Sequence, residues 1–71
     1  MEKALARSII PLVNDADHYP LLIQYVEARI EVLRTFLENT KEHEKIMEIQ
    51  GAIAELRRFQ TLRDQALEGA K

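Results

Sequence analysis

Residues 20–67, PLLIQYVEARIEVLRTFLENTKEHEKIMEIQGAIAELRRFQTLRDQAL, decide how this chain folds. They hold two long helical patterns that meet at Glu38-Asn39-Thr40. In the first, Leu22, Val26, Ile30, Leu33 and Leu37 recur at steps of four, four, three and four, which is one stripe at helical period. In the second, Ile46, Ile49, Ile53 and Leu56 form a narrower seam, which Gln60 and Arg63 dilute before Leu67 resumes it. The join carries helix-start chemistry. Asn39 stands three residues before Glu42, the spacing of a capping box, and Thr40 is a rival cap. Glu42 and Glu44 then fall in the first turn, where carboxylates complement the helix dipole. A connection of about 2–5 residues makes successive helices antiparallel neighbours. The pattern predicts an all-α fold built on an antiparallel two-helix hairpin, with helices over 20–38 and 41–68.

The first helix carries more apolar surface than one partner helix can cover. Beside its main stripe runs a second set, Leu21, Tyr25, Ala28, Val32 and Phe36. At about 100° per residue the two sets together span well over half the circumference. Arg29 falls inside this arc, where a charge is rare unless it is paired or reaches water. Leu21, Tyr25, Ala28, Arg29, Val32 and Phe36 are therefore the expected oligomer or partner interface. Gly51 lies well inside the second pattern; it reads either as a tolerated glycine or, with Ala52, as a place where another helix approaches closely.

Outward toward the N-terminus, residues 1–13 read as a short helix or arm. Leu5, Ile9 and either Leu12 or Val13 share a face, and Pro11 is expected to end the regular hydrogen bonding near Ile10. So short a helix is marginal alone and must dock, on its own hairpin or on a neighbouring subunit. Residues 14–19 read as a loop rich in Asn and Asp, and Pro20 suits a first helical turn, with Asp17 or Tyr19 near the cap. At the other end Gly69 is expected to end the helix, leaving residues 68–71 frayed.

Composition narrows the function. Seventy-one residues allow one small domain, and natural proteins of that size gain stability from disulfides, a metal or oligomerisation. There is no cysteine, and His18 and His43 are far apart, so a metal site is not expected. The expected remedy is a homo-oligomer or a place in a larger protein complex. Net charge is −2, with ten basic and twelve acidic residues, which is not the basic excess of a nonspecific nucleic-acid binder. The apolar run Leu21-Leu22-Ile23 is too short to span a membrane. No basic region followed by a continuous apolar segment opens the chain, so a cytoplasmic location is expected.

Catalytic templates find no match. The lone serine, Ser8, sits on a short apolar helix without an acid–base pair, and the two glycines are isolated rather than clustered for phosphate. Glu42-His43-Glu44 places acid and base residues side by side, but consecutive helical positions diverge by about 100°. Asn14, Asp15 and Asp17 lack the downstream glycine and glutamate of a calcium loop. No catalytic residue and no cofactor is assigned. Arg57, Arg58 and Arg63 make a local run of positive charge. It reads as a solvated face near a helix end, or alternatively as the anionic-partner contact of a small nucleic-acid-binding or regulatory adaptor.

The segment Met47–Arg58 resembles the second helix of small helical-hairpin proteins encoded by tailed bacteriophages. Ile49-Gln50-Gly51, Ile53 and Leu56-Arg57-Arg58 carry the likeness, with Leu62 beyond it. It implies a virion component or a factor acting during virion assembly, and it brings no catalytic residues with it. The leading expectation is a non-enzymatic assembly protein. An inhibitor that buries the same apolar arc against a host protein is a further alternative.

Overall fold

The apolar periodicity is realised as helix throughout. The computed structural model describes residues 1–71 and contains four helices: α1 (Lys3–Val13), α2 (Tyr19–Asn39), α3 (His43–Gln60) and α4 (Leu62–Gly69). No strand is present. α2 packs along α3 and α1 along α4, and the start of α2 lies beside the end of α3, where the Tyr19 hydroxyl reaches Phe59. Between α2 and α3, Val26, Ile30 and Ile53 are buried, and Leu22, Leu33, Leu37, Ile49 and Leu56 pack on them.

The residues expected to start the second long helix instead finish the first. Asn39 Nδ2 donates to the Thr35 carbonyl at 2.8 Å, and the Thr40 hydroxyl donates to the Phe36 carbonyl. Both side chains turn back onto α2, and the Phe36 carbonyl is one of the four that the end of a helix leaves without a regular partner. α2 therefore runs to Asn39, one residue past the expected end. α3 starts at His43 from Glu42, which makes no side-chain cap bond, and Glu44 stands in its first turn.

The helix expected over 41–68 is broken at Thr61. An unbroken helix would hold Ala66 roughly 140° round from Ile53, so one straight rod could not turn both toward the same side. The break re-aims the chain, and side chains replace the lost ladder. The Thr61 hydroxyl and Gln65 Nε2 both donate to the Arg58 carbonyl, at 3.2 and 2.9 Å. The Tyr19 hydroxyl stands between Phe59 and Arg63, donating to the Phe59 carbonyl at 3.5 Å and accepting from the Arg63 N–H at 3.2 Å. In a regular helix that N–H would bond the Phe59 carbonyl directly. An inserted side chain of this kind is a known cause of a helix bend. Tyr19→Phe removes the bridge, and we expect it to cost about 1 kcal/mol. Faster amide exchange at Arg63 would report the loss; unchanged exchange would show that the bridge does not hold the bend.

α1 packs on α4 of its own chain through small side chains. Ala6 and Ala66 are fully buried; of the two alternatives for the inward face Val13 is buried and Leu12 exposed, and Leu5, expected on that face, is exposed too. The helix also continues past Pro11 to Val13, because a single missing N–H near its end leaves the following turn intact. Gly69 is helical with ordinary backbone angles rather than a left-handed cap. Its role is close approach: a Cβ there would sit 3.0 Å from the Ala6 Cβ and 3.1 Å from the Met1 carbonyl oxygen. The tail is held as well, with the Ala70 N–H on the Ala66 carbonyl and Arg7 Nε on the Ala70 carbonyl. Gly51 has nothing within 4 Å of its hypothetical Cβ, so it is the tolerated glycine. Gly51→Ala should raise stability by up to about 1 kcal/mol. Gly69→Ala should lower the melting temperature, and the opposite order of the two variants would refute this packing.

The four helices form a thin slab. Its Cα atoms extend 44 × 25 × 12 Å with a radius of gyration of 14.8 Å, where a compact chain of this length would have about 11 Å. Only six residues are buried, and 5439 Å² of surface is accessible. A compact protein of this mass exposes about 4,500 Å², so the surplus is roughly 900 Å².

Candidate interaction surface

Helical periodicity sorts the sides of α2. Val26 and Ile30 face α3, while Leu21, Tyr25, Val32 and Phe36 lie roughly 80–140° round from that line, all on one side. They are 60, 62, 42 and 57 % exposed, so four large apolar side chains of one helix meet water. Ala28 is exposed among them, and so is Arg29, which takes part in no ion pair. The residues expected to form the interface therefore fall together on one exposed stripe, with Arg29 at its edge nearer α3.

The groove on the other side of the slab shows what shares that stripe's face. It is lined by Arg34 from α2 and by Gln50, Ala54 and Arg57 from α3. Arg34 lies on the opposite side of the buried line from Tyr25 and Val32, and Ala52 and Phe59 lie opposite Ala54 and Arg57 on α3. One broad face thus mixes charged and polar side chains, Arg34 and its partner Glu31 among them, with the exposed Met47, and the other carries the α2 stripe with Ala52 and the 40 % exposed Phe59. In α1 the same offset recurs in the same sense: Leu5 and Leu12 lie about 100–120° round from Ala6 and Val13. Leu5 and Leu12 are thus exposed on α1 as well, beside a buried face built from Ala6 and Val13.

The three arginines singled out from the sequence do not form one patch. Arg57 shares the groove with Arg34. Arg58 pairs with Glu55 at 3.7 Å and borders a separate depression with Phe59 and Gln65. Arg63 lies against the 14–19 segment, beside Asp15 and Tyr19. The bend at Thr61 separates Arg63 from the other two.

That segment is organised by Asp15, one turn before the expected cap at Asp17 or Tyr19. Its Oδ1 accepts from the backbone N–H groups of Asp17 and His18, both at 2.9 Å, and its Oδ2 meets His18 Nδ1 at 2.9 Å. The His18 N–H, then the His18 ring and the Asp17 N–H, hold the Asp15 carboxyl below its ordinary pKa. A lowered folded-state value stabilises the loop above the ordinary carboxylate range, and that contribution is lost as pH falls through the lowered value. Asp17 and His18 amide signals should therefore shift together on acidification below about pH 4. Asp15→Asn should abolish that step, and a step that survived would belong to another group. No three His, Asp or Glu side chains converge as a metal site, and no helix is long and apolar enough to cross a membrane. No protein-family model, curated protein or solved structure matches the chain.

Proposed function

We propose that the chain is a non-enzymatic assembly protein. It is an antiparallel helical hairpin completed by association, as a homo-oligomer or as a subunit of a larger protein complex, through the stripe of α2. One observation carries this reading: Leu21, Tyr25, Val32 and Phe36 stand exposed in line on a slab that has roughly 900 Å² more surface than a compact protein of its mass. Four large apolar side chains aligned and exposed on one helix mark an interaction site, where single scattered ones would not. The likeness of Met47–Arg58 to phage hairpin proteins adds the setting, a virion or an intermediate in its assembly within the cytoplasm. An adaptor built on Arg57, Arg58 and Arg63 gains less support, because the three line different depressions and Arg58 is paired with Glu55.

Association that completes the fold links stability to concentration. The melting temperature followed by circular dichroism should fall steadily as the chain is diluted over about a hundredfold range. Full helicity and a constant melting temperature across that range would contradict the reading.

A further inference from the structure

We infer that the occupant of the α2 stripe is a second copy of this chain, laid antiparallel across it about a two-fold axis beside Ala28. The inference rests on the association reading above and adds the partner and the register. Two observations carry it. The first is area. A standard stable interface takes about 800 Å² from each partner, close to the surplus of roughly 900 Å² that the chain exposes. The second is order along the helix. In a two-fold contact, whatever residue i touches on the partner must touch residue i in return. Reversing α2 about the point between Ala28 and Arg29 lays Leu21 on the partner copy's Phe36, and Tyr25 on its Val32. All four are exposed, and each pairing matches a large side chain with another apolar one.

The middle of the face is low where the axis passes. Ala28 is the small residue of the stripe, and Ala52 of α3 stands near the same level, because its neighbour Ile53 shares one buried cluster with Val26 and Ile30. Small residues at a crossing point let two helices approach closely. The same symmetry brings the two Arg29 side chains to one flank near the axis, with no carboxylate paired to either within the chain. The dimer therefore carries a repulsive like-charge pair, which added salt screens.

The chain has no cysteine, so single cysteines report the register directly. Leu21→Cys and Phe36→Cys chains are oxidised separately and as an equimolar mixture, with Tyr25→Cys and Val32→Cys as a second pair. Mass and helicity are checked on each sample before oxidation. Disulfides should form in each mixture and not in Leu21→Cys or Phe36→Cys alone, where the thiols stand about 22 Å apart along the helix axis. Arg29→Gln should tighten the dimer severalfold and flatten its salt dependence. Cross-linking of single variants would overturn the antiparallel register in favour of a parallel one. A dimer that cross-links in neither mixture would overturn this seat while leaving association itself standing. A weaker dimer with Arg29→Gln would place an acidic group opposite Arg29 and overturn the symmetry. A helical monomer at every concentration would overturn both the inference and the association reading.

Discussion

Val32→Asp should loosen self-association by at least a hundredfold, or about 3 kcal/mol, while leaving the helical signal largely in place. Val32 lies outside the buried set between α2 and α3, and Asp and Val have similar helix propensity, so the fold of one chain should tolerate the change. The interface should not. Full burial of an exposed valine side chain is worth about 1.5–3 kcal/mol; Val32 is 42 % exposed, so the interface gains only that share of it, counted twice by two-fold symmetry. Each carboxylate must in addition be dehydrated against apolar neighbours. Tyr25→Asp should behave alike, and Gln24→Glu on the polar flank serves as the control. Dissociation constants from sedimentation equilibrium decide the matter. If both aspartate variants associate as tightly as the unmodified chain, the stripe is not the interface.

Ile53→Ala should have the largest effect on folding itself. Ile53 is the one buried residue of α3, in a cluster with Val26 and Ile30 of α2. Removing a buried isoleucine to its Cβ costs about 2–5 kcal/mol, the lost transfer energy plus a cavity that neighbours fill only in part. With marginal stability of roughly 0.05–0.15 kcal/mol per residue, that is a large share of what a chain this short possesses. In urea, the midpoint should drop steeply, and at low protein concentration the variant should be mostly unfolded. Met47→Ala, which alters a side chain that is already in water, should move the midpoint little. Equal shifts for the two variants would mean that the α2–α3 packing is not what holds the chain together.

The long-range packing of α2 and α3 was readable from Leu22 to Leu56 because large aliphatic residues at helical spacing leave few other arrangements. The exposed stripe was readable for a related reason: an apolar arc wider than one partner must leave some of itself uncovered. Three features were not readable, and each has a distinct physical cause. Asn39 and Thr40 suit the start or the end of a helix equally, since both ends leave backbone groups unpaired, and here the carbonyls of α2 took them. The break at Thr61 carries no glycine or proline. Its trace in the sequence is a phase slip, visible once Leu62 and Ala66 fall off the Ile46–Leu56 seam, and its main support comes from Tyr19, some forty positions away. Finally, α1 hides its inward face because Ala6, Ala66 and Gly69 carry the contact, while the bulkier Leu5 and Leu12 look outward.

The measurement closest to the central claim is the solution mass of the unmodified chain by sedimentation equilibrium over a dilution series. The claim is that the α2 stripe is covered by a second copy. It predicts a discrete species of twice the 8.2 kDa chain that dissociates on dilution. A fully helical species of 8.2 kDa at all concentrations would contradict it, since the stripe would then be stable in water uncovered.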